Sequence, residues 1–164
     1  MTRNWKMVAL LCAGAALTAW CLKPSDDRPR VPLNCRAQTK LVFESREDSP
    51  VFRGTIALQF GKDGLGIIGL TGMLSIGKQH YRVLRTATLY TKVIDADHGW
   101  FDIRRTSDAI QEHDNAPTEV VNTYLLGPIN QQTPRVFRVT RLNDKAFIVG
   151  NLHSPFMVCS QVNV

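Results

Sequence analysis

Apolar and polar positions alternate with a period of two along most of the chain after residue 35. In FRGTIALQF, residues 52–60, Phe52, Gly54, Ile56, Leu58 and Phe60 share one face, with Arg53, Thr55 and Gln59 on the other. That is the pattern of a half-buried strand. GKDG at 61–64 is a turn signal, and LGIIGLTGMLSI at 65–76 returns with Ile68, Leu70, Leu74 and Ile76 together, so the two runs predict a hairpin. Gly66, Gly69 and Gly72 inside the second run point to bends or close backbone approach in a curved sheet. They do not make a phosphate cradle, because no helix follows and no Lys-Ser/Thr pair closes the run.

The run HYRVLRTATLYTKVIDAD, residues 80–97, places Tyr81, Val83, Ala87, Leu89 and Val93 on one side. Arg85 falls on that same side. It is read here as a bulge position, which costs less than a buried charge in search of a carboxylate. ADHG at 96–99 makes a turn, WFDIRR at 100–105 a strand, and TKLVFES at 39–45 a first strand directly after Cys35. Residues 107–134 break the period. Pro117 suits a first helical turn, and Val120, Val121, Tyr124 and Leu125 recur at helical spacing before Gly127-Pro128, which predicts one short helix. RVFRVTRL, KAFIVGNLH and FMVCS complete about eight strands. The expected fold is mainly β: an N-terminal transmembrane helix, then a single antiparallel sheet, curled or closed into a barrel, with the last strand near the first.

The first segment is of another kind. MVALLCAGAALTAWCL, residues 7–22, carries no charge and is followed by the polar, proline-bearing KPSDDRPRVP. Sixteen residues at about 1.5 Å each cover roughly 24 Å, short of a hydrocarbon core of about 30 Å. Trp5 and Trp20 at the interfaces, and snorkelling Arg3, Lys6 and Lys23, make up the difference. A cleavage site is poorly served, since Leu17 and Trp20 occupy positions that want small residues. The reading is a signal-anchor over 1–23, a linker over 24–34 and a β domain over 35–164, with a cleaved signal peptide as the alternative. Ala15 and Ala19, spaced by four, would let a second helix approach.

Cys12 and Cys21 lie in the apolar segment, whereas Cys35 and Cys159 stand at the two ends of the β domain. The predicted disulfide between them requires an oxidising compartment, and it places the N-terminus in the cytoplasm and the β domain in the periplasm of a single-pass inner-membrane protein. Two buried thiols are the alternative. The formal charge of +6 changes little. Five of the 20 Lys and Arg and two of the 14 acidic residues precede residue 31, leaving fifteen against twelve for the rest. Direct nucleic-acid binding is not expected from so dilute a charge.

No motif carries chemistry. His80, His98, His113 and His153 show no HxH, HExxH or helical i,i+4 spacing. DADHG at 95–99 reads as a turn, without the glutamate-terminated loop of a calcium site. EHDN at 112–115 could orient a His by an Asp, yet no nucleophile motif accompanies it. An enzyme would need two of His80, Asp102, His113, Asp114 and His153 within hydrogen-bond reach. The expectation is no catalytic residue, no metal and no cofactor.

Taken together, the anchor, the opening cysteine, GTIALQFGKDGLGIIGLTGMLSI, YRVLRTATLYTKV, HDNAPTEVVNTYLLGP and FRVTRLNDKAFIVGNLHSPFMVC resemble the FidL-like family of enterobacterial inner-membrane proteins. The resemblance implies a small periplasmic sensor or accessory domain associated with membrane-anchored transcription regulators of the ToxR type. ToxS-like partners of such regulators offer a looser, fold-level analogy. A curled sheet that holds a small apolar ligand, such as a bile salt, fatty acid or lipid, is the other expectation.

Overall fold

The computed structural model describes residues 33–43, 49–61, 63–127, 129 and 135–162. Eight strands follow in chain order: β1 Leu33–Val42, β2 Val51–Phe60, β3 Leu65–Ile76, β4 Gln79–Asp95, β5 Trp100–Ile110, β6 Arg135–Asn143, β7 Ala146–Asn151 and β8 Pro155–Gln161. Each pairs antiparallel with the next, and β8 returns to β1, so the meander closes into a barrel. Closure solves the edge problem that an open sheet of this composition would carry.

The core is the set of inward positions. Phe52, Ile56, Leu58 and Phe60 of β2, Ile68, Leu70 and Leu74 of β3, and Val83, Ala87 and Leu89 of β4 are all buried, as their alternation predicts. Val93 is an exception at 47 % exposed. The register slips between Val93 and Asp95, and this bulge at the strand end turns the inward face away from the core. Cys35 lies inside β1, because the strand begins two residues earlier with Leu33 opposite Phe60.

The glycines of β3 differ among themselves. Gly72 sits opposite Gly54 of β2, and a Cβ on Gly72 would stand 2.7 Å from the Gly54 Cα. On Gly69 the nearest atom would be the Ala57 Cβ at 3.7 Å, an ordinary contact. Gly72→Ala is therefore expected to cost about 1–3 kcal/mol, as overpacking does, while Gly69→Ala stays within about 1 kcal/mol of the parent. Urea unfolding of the two variants side by side checks this.

Two expectations are corrected. Ser107–Ile110 continue β5, pairing with Arg85–Thr88 of β4, where the sequence suggested that strand character stopped at Arg105. Thr106–Ile110 are exposed on both faces, so no alternation marks them. Arg85 is not a bulge residue: the β4–β5 irregularities lie between Thr88 and Leu89 and between Val93 and Asp95, and Arg85 points inward at 1 % exposed. The expected helix is present as one α turn, Thr118–Val120, running into a π turn, Val121–Leu125. Its Val121 and Leu125 are buried, and the Tyr124 ring meets Phe43 at the end of β1, centroids 5.2 Å apart. The segment 1–23, with Trp5, Trp20, Ala15 and Ala19, lies outside the described residues; among those described, no helix is long and apolar enough to cross a membrane.

Candidate functional site

Because the strands alternate in direction, the turns after β2, β4 and β6 gather at the barrel end where Leu33 enters. The β4–β5 turn is built by Asp95. Its Oδ1 accepts the backbone N–H groups of Asp97 and His98 at 3.0 and 3.1 Å, and its Oδ2 lies 2.8 Å from the His98 Nδ1. The hydrogen bond from the His98 ring, with that from its backbone N–H, holds the Asp95 carboxyl below its usual range. Gly99 closes the turn at φ 68°, and its carbonyl accepts from Val139 N–H at 2.9 Å, which ties the turn to β6.

Between this turn and β6 opens a cleft of about 260 Å³. Its floor is apolar: Leu33, Phe60, Phe101 and Phe147, with the rings of Phe60 and Phe101 stacked at 6.4 Å. Its rim is polar, from His98, and charged with both signs, from Asp97, Arg138 and Arg141. Arg138 donates from Nε to the His98 carbonyl at 3.3 Å, and its guanidinium lies 5.4 Å from the Trp100 ring centroid, while Arg141 reaches Asp144 at 3.2 Å. The volume falls just below the range of about 300–1,000 Å³ typical of ligand sites. Such a floor and rim suit a short apolar tail with a polar head.

A second arrangement lies toward the other end. Arg85 grips Asp114 with two hydrogen bonds, Nε to Oδ2 and Nη2 to Oδ1, each 3.0 Å, and its Nη2 also donates to the Ala116 carbonyl at 2.6 Å. Asp114 further accepts the backbone N–H groups of Leu84 at 2.8 Å and Ala116 at 3.0 Å. Burial pushes the Asp114 carboxyl up, but the hydrogen bonds from Arg85, Leu84 and Ala116, and the guanidinium charge, outweigh it and leave the pKa lowered. Asn115 pairs both ways with Arg82, at 2.6 and 3.1 Å. The chain after β5 is thereby bound to β4 and delivered to the helical turn. Arg105, 9 % exposed, donates from Nη1 to Asn122 at 2.9 Å. Among the described residues, Arg85 Nη1 and Arg105 Nε have no hydrogen-bond partner.

The structure forms the Cys35–Cys159 disulfide, with Cα atoms 5.5 Å apart and both residues fully buried. Of the five residues named for an enzyme, His80, His113 and Asp114 line one shallow outer cleft with Met73, Arg82 and Asn115; Asp102 sits on β5 and His153 in the β7–β8 turn. No hydrogen bond joins any two of the five: His80 Nδ1 lies 2.9 Å from Ser75 Oγ, and the Asp114 carboxylate turns inward to Arg85. EHDN therefore orients an arginine, not a histidine. Among the described residues, no three His, Cys, Asp or Glu side chains are placed to hold a metal ion.

Sequence reasoning missed the mouth cleft and both interior arginines. Arg85 did carry a signal, a charge on the apolar face of β4 with an acidic segment 29 residues on. Arg105 carried one of the same kind, a charge in phase with Phe101 and Ile103 on the inward face of β5, since the register slip at Thr106 comes only after it. A family model described as "FidL-like putative membrane protein" matches residues 72–159, more than half of the chain, from within β3 to Cys159 in β8. No curated protein matches the chain.

Proposed function

The chain belongs to the FidL-like family, and from that premise we propose that it is a non-enzymatic accessory or sensor protein of the bacterial inner membrane. In this reading residues 7–22 anchor it, and the barrel stands in the periplasm beside a membrane-bound transcription regulator of the ToxR type. The observation that carries the reading is the buried disulfide joining the first strand to the last, a bond that persists in an oxidising compartment. Cross-linking in intact cells with mass spectrometry, combined with thiol trapping, tests it. Recovery of one membrane regulator at high yield with Cys35 and Cys159 joined supports the role; no enriched partner and two free thiols remove it. Ala15→Ile with Ala19→Ile should lower recovery if the span takes part in the contact.

A second reading, a binding domain for a small apolar ligand, is favoured by the mouth cleft and its floor of Leu33, Phe60, Phe101 and Phe147. A ligand that binds only the folded state raises Tm, by about 2.7 kcal/mol of added stability at 100 times Kd. Thermal unfolding with saturating fatty acids, bile salts and short-chain phospholipids reads this directly. A flat response counts against the cleft as a site.

A further inference from the structure

We infer that the barrel end at which Leu33 enters is a docking face for a phospholipid bilayer, a second membrane contact beside the N-terminal segment. The inference rests on the anchoring reading above. Two β-bulges occur at this end, one between Val93 and Asp95 in β4 and one between Arg141 and Asn143 in β6. The extra residue of each is a bare aliphatic, Ile94 at 54 % exposed and Leu142 at 56 %. Bulges re-aim a side chain, and here both present hydrocarbon where a polar residue would be equally at home in water. Leu65, opening β3 at the third turn of this end, is 51 % exposed.

Exposure alone does not choose between the two ends, because Leu152 and Ile110 at the opposite end are 64 % and 53 % exposed. Connectivity chooses. Ten residues, 23–32, separate the apolar run 7–22 from β1, and they reach at most about 33–36 Å when fully extended. An anchored barrel is thus tethered by this end, within reach of the bilayer. The charges around the aliphatics carry both signs, Arg138, Arg141 and Lys145 with Asp95, Asp97 and Asp144. The six sum to zero, so like charge does not hold the aliphatics off an anionic leaflet.

The test uses the full oxidised chain, with Cys12→Ala and Cys21→Ala, in proteoliposomes of phosphatidylethanolamine and phosphatidylglycerol. Nitroxides are placed singly at Ile94→Cys, Leu142→Cys, Leu152→Cys and Ala15→Cys, and circular dichroism verifies the barrel in each. Relaxation by oxygen should exceed relaxation by a water-soluble nickel chelate at 94 and 142, and the order should reverse at 152. Labels at 94 and 142 that behave as 152 does, while 15 reads as lipid-embedded, overturn the docking face and leave the anchor standing. Labels at 15, 94 and 142 that all read as aqueous overturn both. Labels at 94 and 142 in lipid with 15 in water establish the face and remove the anchor.

Discussion

Asp114→Ala lowers the unfolding free energy by about 3–5 kcal/mol at neutral pH, the usual cost of stranding one member of a buried ion pair. Arg85 and Asp114 side chains are each 1 % exposed, so the guanidinium is left buried without its counter-ion. Replacing both, Arg85→Met with Asp114→Ala, restores only part of the loss. Asp114 also satisfies the N–H groups of Leu84 and Ala116, and an apolar pair leaves those donors bare. Chemical unfolding of the single and double variants, read as a double-mutant cycle, separates the two contributions.

The same carboxylate sets an acid limit. Its folded pKa lies below the ordinary 3.8, so its contribution is present above the unfolded value and is lost as pH falls through the folded one. The parent should hold a constant contribution from this pair between about pH 5 and 8 and weaken below about pH 4. Asp114→Asn, less stable at neutral pH, should lose that share of the acid slope. A Tm series from pH 2.5 to 8 on both proteins shows whether the slope belongs to this residue.

The strands were legible because they bury one face and bare the other. The order of burial in β2 and β3 follows Phe52, Ile56, Leu58, Phe60 and Ile68, Leu70, Leu74 residue by residue. The meander was legible because tight turns join most neighbours, and the terminal cysteines pointed to closure. Arg85 was misread because a sequence weighs a buried charge without its partner, and the partner arrives from a loop beyond the next strand. The mouth cleft was illegible for a different reason: its floor draws one residue each from β1, β2, β5 and β7; Phe60, Phe101 and Phe147 read as ordinary strand residues, and Leu33 fell in the expected linker.

Removing the disulfide, by Cys35→Ala with Cys159→Ala or by reductant, is expected to cost about 2–5 kcal/mol. The bond spans 124 residues, and chain entropy for a loop of that size predicts about 4–5 kcal/mol, with measured gains often smaller. Alanine avoids burying two unpaired hydroxyls at fully enclosed positions. The loss should fall on the β1–β8 seam, where the described register holds two pairs, Cys35 with Gln161 and Arg36 with Ser160. Amide exchange in β1 and β8 should therefore accelerate more than in β3 and β4. Uniform acceleration would show that the seam opens only with the whole barrel.

That seam also sets a schedule. At about 5–20 residues per second, the ribosome releases β8 roughly 6–25 s after β1. Through that interval β1 has a neighbour on one side and bare N–H and C=O groups on the other, a template for any strand that arrives. The nascent sheet therefore keeps β1 as one open edge, while its other edge moves with each new strand, until its last seven-residue strand arrives.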